Sequence, residues 1–178
     1  TRVKVIARSG PSLEQSKLIT GLALPKKRAH VEMPSTLGAG SILLVDGGLE
    51  LRSLSTDVQL SVTSTSVLQS FRDAEQQRLL EQVEMLKKLD ITLLACREGI
   101  DDSMHAHLAE AGIKAFRRVA KSDLELLARG CGARLVPTIH QANDADVGVF
   151  ISSRCERWGD VDHWILETDE GGATFVAS

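Results

Sequence analysis

The chain has 178 residues, the size of one globular domain, and at that length folding buries roughly 70% of the surface of the unfolded chain. Hydrophobic residues make up 43% of the sequence but aromatic residues only 3%, so the core has to be built from aliphatic side chains. The formal net charge of −3, without a basic stripe, excludes a general nucleic-acid binder, which needs clustered cations to displace counterions.

The cysteines and the apolar runs bear on the compartment. Cys96, Cys131 and Cys155 form no CxxC pair and are odd in number, which argues against a disulfide framework or a zinc knuckle and favours a reducing cytoplasm. No apolar run reaches the ~18 residues that cross a bilayer, so we expect no membrane contact. The first residue is not Met, which we interpret as the start of a fragment or of a processed chain.

Strands and turns are predicted for the first third of the chain, residues 1–62. Four apolar or alternating runs have the pattern of strands, at residues 3–7, 18–24, 41–46 and 58–62. Between the second and third runs, residues 25–40 contain three consecutive basic residues, two prolines and two glycines. This composition predicts a long irregular loop, and loops of that length are usually functional or disordered.

A single long helix is predicted for residues 66–88, which contain neither Gly nor Pro. Its second half carries one apolar stripe, typical of a helix packed on a core, at Leu79, Leu80, Val83, Leu86 and Leu89. Residues 72–78 are polar except for Ala74. Apolar residues return near the start of the helix, at Val67, Leu68 and Phe71. Because an all-polar stretch cannot bury a face, the pattern predicts either an arm that projects into solvent or an ordinary surface helix with an uneven stripe.

A β-α-β-α-β run, typical of a parallel sheet with right-handed crossovers, follows the long helix. Its predicted elements are strands at residues 91–96, 114–119 and 133–137 and helices at residues 102–111 and from residue 122 onward. Asp101 and Asp102 place carboxylates at the positive end of the first helix, and Ser122 with Glu125 predicts a capping box on the second. Later strands are predicted at residues 147–152, 163–167 and 173–176, with a polar turn at residues 158–160.

Motifs that would carry catalysis are missing from the sequence. It contains no GxxxxGK[ST] phosphate loop and no GxSxG nucleophile elbow, and Gly38-Ala39-Gly40 precedes a strand, the wrong place for a dinucleotide loop. Cys131 lies on the predicted inner side of its helix, where a thiol is commonly a small hydrophobe. We therefore predict a binding module and no enzyme, with no catalytic residue and no cofactor in this chain.

The histidines and the paired aspartates are candidates for metal or acid–base chemistry. His105 and His107 are two positions apart on a predicted helix, so they point about 200° apart and cannot share a metal ion. At least one of the two is therefore expected to be exposed. Neighbouring carboxylates such as Asp101 and Asp102 at a helix start are usually caps. The sequence predicts no metal site.

Four stretches have the residues and the spacing of a known family. They are residues 12–24 (SLEQSKLITGLAL), His30 with Met33-Pro34, residues 99–102 (GIDD), and residues 117–136, which begin RRV and continue through KSDL to GARLV. Together they resemble the apical domain of group II chaperonins, the family of the archaeal thermosome and the eukaryotic cytosolic chaperonin CCT (TRiC). The resemblance extends over residues 4–167, and among eukaryotic subunits the pattern is most similar to the alpha type.

The resemblance implies an α/β fold, with β-sheets flanked by helices, in which residues 1–178 form a single apical domain. It also implies a projecting helical protrusion at residues 53–80 that acts as a built-in lid. The tip of this lid would carry Val67, Leu68 and Phe71. The end segments, residues 1–8 and 170–178, are then strands that lead toward an intermediate domain outside this chain.

The resemblance also implies where client proteins bind. In the family, non-native chains bind to the cavity-facing side of the helix after GIDD and to the neighbouring loop. Carried over to this chain, that face consists of Ser103, His105, Ala106, His107 and Glu110. ATP and Mg²⁺ would belong to the equatorial domain of the parent protein, an ATPase whose phosphate-loop and catalytic-aspartate motifs are absent from this sequence. The implied partners are unfolded clients and neighbouring subunits of a cytoplasmic ring.

The sequence departs from the family at several positions, and an alternative function stays open. Val31 stands where the family often has Pro, Pro11 replaces the second glycine of a common Gly-Gly pair, and the histidines at 105 and 107 differ from relatives. The alternative is a free-standing α/β domain that binds a small ligand or a partner protein. A deep pocket lined by perturbed titratable groups would favour that alternative, and a projecting helical arm with no pocket at the strand ends would favour the chaperonin.

Overall fold

The computed structural model describes residues 3–7, 17–49, 65–169 and 173–177, with side chains for residues 19–49, 69–70 and 72–169. In these ranges the strands are β1 Val3–Ala7, β2 Lys17–Leu24, β3 Thr36–Leu37, β4 Gly40–Val45, β5 Leu93–Cys96, β6 Lys114–Phe116, β7 Leu135–Val136, β8 Gly148–Phe150, β9 Ser152–Trp158, β10 Val161–Glu167 and β11 Ala173–Ala177. The helices are α1 Thr65–Lys88, α2 Asp102–Glu110 and α3 Lys121–Cys131. The predicted α/β class is confirmed, and the strand predicted at residues 58–62 lies outside the described residues.

A mainly parallel sheet forms the centre of the described structure. β4 pairs in parallel with β5 and with β7, β5 pairs in parallel with β6, and β8 runs antiparallel beside the first half of β4. Every residue of β5 is buried, because both faces of the sheet are covered. This double coverage explains the unbroken apolar sequence of the strand.

The side chains of β4 alternate between two hydrophobic cores. Leu43 and Val45 pack with the buried residues of α1 and α2 in the first core, whereas Ile42 and Leu44 pack with α3 and with Trp164 of β10 in the second. The alternation follows from the two-residue period of a strand. The parallel sheet is therefore a middle layer, with α1 and α2 on one face and α3 and the second sheet on the other.

The second sheet has the strand order β1-β11-β2-β10-β9-β3 among the described residues. β1 and β11 are parallel, with register from Val3↔Ala173 to Ala7↔Ala177, and the other pairs are antiparallel. Strands were predicted close to both of these positions, and β1 and β11 confirm them. Their connection to an intermediate domain stays a prediction.

The apolar stripe of α1 is narrower than predicted. Leu79, Val83 and Leu86 are buried, and residues 72–78 are all exposed. Leu80 was expected in the stripe but is 41% exposed, because it lies about 100° around the helix from its buried neighbour Leu79. No helix of the described ranges is both long and apolar enough to cross a bilayer.

Two local predictions are wrong. α3 begins at Lys121 with Ala120 at its N-cap and without a side-chain cap, so Ser122 lies inside the first turn and forms no capping box. β6 ends at Phe116, earlier than the predicted residue 119, because Arg118 has φ 54, a left-handed backbone conformation that a strand does not adopt.

The long loop after β2 is a packed cover for the edge strand β6. Ala29 N donates to Ala115 O at 2.9 Å, and Ala115 N donates to Met33 Sδ at 3.3 Å. Met33 is 1% exposed, so it anchors the loop in the first core. The loop thus hides a strand edge that would otherwise be open for pairing, a structural role that its irregular sequence did not predict.

Candidate functional site

The helix that the sequence singles out, α2, begins at a fixed point beside the parallel sheet. Leu49 N donates to Gly99 O at 3.0 Å and Asp101 N donates to Leu49 O at 3.1 Å. These two hydrogen bonds form a short parallel β-bridge between Leu49 and Ile100. Gly48 permits this approach, since a Cβ there would lie 2.6 Å from Gly99 O. Asp101 takes the N-cap position as predicted, but its side chain makes no capping bond. The backbone therefore sets where α2 begins.

The predicted client-binding residues divide between two sides of α2. Ser103, Ala106 and Glu110 are exposed, and His107 has 24% of its side chain accessible. His105 is buried, at 2% exposure, on the side that carries the apolar residues of the helix. The prediction that put His105 on the exposed face is therefore wrong, while His107 is the more exposed histidine that the helical geometry required.

His105 is enclosed by groups from α2, from the loop after β2 and from the end of β6. Its Nδ1 lies 3.4 Å from Asp102 Oδ1, and Arg117 Nη1 lies 3.9 Å from the same carboxylate oxygen. The rings of His105 and His30 are 6.2 Å apart. Burial, followed by the nearby Arg117 charge, lowers the pKa of His105, although Asp102 and Asp101 act in the opposite direction. Within the described ranges its buried Nε2 has no hydrogen-bond partner, so the site favours the neutral imidazole.

The exposed side of α2 is mainly polar. His107 Nδ1 lies 3.8 Å from Glu110 Oε2, and Ala106 is an exposed apolar residue on this side. A larger apolar side chain is exposed on the loop after β2, where Val31 is 75% exposed and follows His30, whose ring is 6.2 Å from the ring of the buried His105. The sequence indicated Val31 only as a departure from the family. The feature that could have drawn attention to it is an apolar residue between two polar ones in a loop.

The predicted lid lies mostly outside what the structure describes. Residues 53–64 are outside the described residues. Val67, Leu68 and Phe71 lie in α1, where the structure describes their backbone only. The lid and its tip therefore stay predictions. The exposed residues 72–78 of α1 agree with the bare middle that the sequence indicated.

The buried cysteines do not have the setting of nucleophiles. Burial raises the pKa of the Cys131 thiol to about 12 and also raises that of Cys96, so both are neutral small hydrophobes at physiological pH. No group of three or more potential metal ligands gathers within the part of the chain that is described.

A cleft of about 840 Å³ opens where the parallel strands end. It lies between the loops after β4, β5 and β7 and the polar middle of α1, including Glu75 and Arg78. Arg97 spans two acidic groups there, with Nε 2.7 Å from Asp46 Oδ1 and Nη2 3.3 Å from Glu98 Oε1. The sequence did not predict this cleft, which lies at the strand ends, where the chaperonin hypothesis expected no pocket.

The two sheets and their flanking helices define a mixed α/β domain. One of the helices, α2, presents a polar face to solvent, and this face is a candidate binding surface. Over residues 1–177 the sequence matches the model of the TCP-1/cpn60 chaperonin family. It is 34% identical over 146 residues to thermosome subunit beta of Archaeoglobus fulgidus and 36% identical over 146 residues to thermosome subunit alpha of Sulfolobus acidocaldarius. The chain belongs to the TCP-1/cpn60 chaperonin family, as part of a group II chaperonin subunit.

The structural comparison agrees with the sequence comparison. The open-state monomer of a group II chaperonin from Methanococcoides burtonii superposes with a TM-score of 0.79 at 25% identity, over 98% of this chain and 38% of that one. The two thermosome matches cover 82% of this chain but only 27% and 26% of the relatives. The chain thus spans about a quarter of the length of these curated relatives.

Proposed function

We propose that this chain is the apical, client-binding part of a group II chaperonin subunit and that the exposed face of α2 contacts non-native polypeptides. The observation that carries the proposal is the division of α2 into two sides. One side is fixed in the first core, and the other presents Ser103, Ala106 and Glu110 to solvent. A helix held rigidly by its buried side keeps its outer side available for a partner.

The composition of this face suits weak and reversible binding of a client. Ala106 offers apolar area on this face, and burial of such area contributes about 25 cal/mol per Å². Glu110 and His107 on the same face are polar, so binding of a client removes water from these side chains, which weakens the interaction. Small apolar area among polar groups allows release, which a folding chamber requires.

The remaining functions are those of the parent protein. ATP and Mg²⁺ would bind in an equatorial part outside this chain, and the subunit would assemble with neighbouring subunits into a ring in the cytoplasm. The first half of α1, with the segment before it, would form a lid over the chamber, with Val67, Leu68 and Phe71 at its tip. The all-exposed residues 72–78 support an arm of this kind, because they have no apolar side to bury.

Client binding is tested with two substitutions on the exposed side of α2, Ala106→Arg and Glu110→Arg. We expect each to change the affinity for a chemically denatured, fluorescently labelled client by several-fold, about 1 kcal/mol, as measured by fluorescence anisotropy. Both residues are exposed, so the melting temperature followed by circular dichroism should stay unchanged.

The matched control is Glu84→Arg. Glu84 is exposed on α1 and pairs with Lys87 at 2.9 Å, so this substitution changes the charge as much as Glu110→Arg does, and more than Ala106→Arg, without altering α2. Client affinity should not change in this variant. If both α2 variants bind the client as tightly as the wild type, the exposed face of α2 is not the client site.

A further inference from the structure

The thiol of Cys155 on β9 lies beside a buried amine. Lys114 of β6 is 0% exposed, and its Nζ donates to Ser35 O at 2.8 Å. The same carbonyl oxygen accepts from Cys155 N at 3.0 Å, so the backbone of Cys155 and the amine of Lys114 meet at one atom. The side chain of Cys155 is itself a hydrogen-bond partner of Lys114. The thiol and the amine are therefore in contact.

The fold holds this contact in place. Ser153 lies two residues before Cys155, and its hydroxyl accepts from Lys114 Nζ at 3.2 Å. Residues two apart on a strand point their side chains to the same face, so Cys155 shares with Ser153 the face that meets the amine. β9 is paired with β10 and with β3, and β6 is paired with β5. This pairing supplies the proximity that a reaction between two side chains needs.

The two side chains have complementary reactivity once the sulfur is oxidised. Cys155 is partly exposed, whereas Cys96 and Cys131 are buried, so a small oxidant reaches Cys155 most readily. Burial lowers the pKa of Lys114, which raises the fraction of neutral, nucleophilic amine. A sulfenic acid condenses with a nearby nitrogen to a sulfenamide. An oxidised Cys155 thus has a nitrogen nucleophile within reach.

We propose that Cys155 and Lys114 form a reversible covalent cross-link when the protein is exposed to hydrogen peroxide. Peroxide first oxidises the thiol to a sulfenic acid and releases one water. Lys114 Nζ then attacks Cys155 Sγ: the S–N bond forms, the S–O bond breaks, and the hydroxyl leaves as a second water with a proton from the nitrogen. Two equivalents of a thiol reductant restore the thiol and the amine and are themselves oxidised to a disulfide.

The cross-link joins β9 of the second sheet to β6 of the parallel sheet. Oxidation would thus add a covalent bond to the contact that already connects the two sheets through Lys114 and Ser153. The proposal does not depend on the function proposed for α2.

The test is to oxidise the purified chain with hydrogen peroxide and to digest it with trypsin in the absence of reductant. Cleavage after Lys114 should be lost, so that residues 98–117 appear joined to residues 155–157. The mass of the joined pair should be lower than the sum of the two free peptides by two hydrogen atoms. Titration of thiols in denaturant should find one thiol fewer than before oxidation, and dithiothreitol should restore it.

Lys114→Met and Cys155→Ser should both abolish the joined peptides. In Lys114→Met the sulfenic acid at Cys155 should persist and react with dimedone. The matched control is Lys121→Met, which removes an exposed lysine of α3 and should retain the cross-link. The wild-type chain oxidised in urea should give no joined pair, which tests the need for the folded contact even if Lys114→Met does not fold.

Three outcomes would each overturn the proposal. They are oxidation of Cys155 to the sulfinic acid without joined peptides, attachment of Cys155 to a residue other than Lys114, and equal yields of the joined pair from the folded and the urea-denatured chain. A joined pair that retains an oxygen atom would overturn the S–N bond.

Discussion

At the scale of single residues, His105 shows how a polar side chain is accommodated in a core. Burial lowers the pKa of the imidazole, whose Nδ1 lies 3.4 Å from Asp102 Oδ1 on the same helix and whose ring lies 6.2 Å from the ring of His30 on the loop after β2. His105 therefore belongs to the buried side of α2, and the exposed residues of the helix remain available for contacts.

The stability of the protein should depend on pH through His105. Its pKa in the folded protein lies below the ordinary value of 6.5, so below about pH 6.5 the unfolded chain binds more protons than the folded one. The stability contributed by the neutral ring is complete above this pH and is lost as the pH falls through the folded pKa. We expect the free energy of unfolding of His105→Gln to fall less than that of the wild type between about pH 7.5 and about pH 5, in urea titrations.

His107→Gln is the control for this experiment, because it removes the partly exposed histidine of the same helix. It should leave the wild-type pH dependence in place. A His105→Gln variant whose stability follows the same pH curve as the wild type would show that other groups cause the acid sensitivity.

Lys114 fastens the two sheets to each other from inside. Its side chain is fully buried, and Nζ donates to Ser35 O at 2.8 Å and to Ser153 Oγ at 3.2 Å. Trp164 Nε1 donates to the same hydroxyl at 3.0 Å and stacks on Phe116 with ring centroids 3.9 Å apart. Burial lowers the pKa of Lys114, which records the energetic cost of keeping a cation there.

We expect Lys114→Ala to lower the free energy of unfolding by about 3 kcal/mol, because it leaves a cavity and unpaired acceptors. Lys114→Met keeps most of the volume and removes the desolvated charge, so we expect a loss of only about 1 kcal/mol. Urea denaturation of both variants measures the difference. Equal losses would mean that the hydrogen bonds of Nζ, and not the packing of the side chain, hold the sheets together.

At the scale of elements, α1 combines a packed second half with a wholly exposed middle. Leu86 is 0% exposed within the first core, whereas Leu80 on the same helix is 41% exposed. The two leucines therefore make a matched pair for measuring how strongly α1 is held on the sheet.

Leu86→Ala should lower the free energy of unfolding by about 3 kcal/mol, since it opens a cavity in the core. Leu80→Ala should change it by no more than about 0.5 kcal/mol, as surface substitutions usually do. Chemical denaturation monitored by circular dichroism reports both values. A large loss in Leu80→Ala would mean that this leucine is covered in solution by another part of the protein.

At the scale of the whole molecule, the sequence predicted those elements whose buried positions are occupied by apolar residues. β4 and β5 are apolar throughout or nearly so, and α3 carries its apolar residues on one side, so local pattern sufficed. β9 was missed because it is polar: Arg154 and Glu156 pair with each other at 2.7 Å on a strand that β10 and β3 position from either side. Pairing of that kind depends on strands elsewhere in the sequence, so the residues of the strand alone do not predict it.

The candidate sites divide in the same way. The sequence located α2 and its exposed residues because the GIDD motif and helical spacing are local features. It misplaced His105, since the groups that make its burial tolerable come from other elements. The cleft was not predictable, because its walls are loops from three strands and one helix that meet only after folding.

The parallel pairing of β1 with β11 has a mechanical consequence. Residue 3 lies at one end of the paired strands and residue 177 at the other, so tension applied between these two points loads the pair along its length. All the backbone hydrogen bonds between the two strands then resist together, whereas strands peeled from one end part bond by bond. Strain passing through this domain would be carried by the outermost pair of the second sheet, while α2 and the cleft, which lie on the other sheet, would keep their shape.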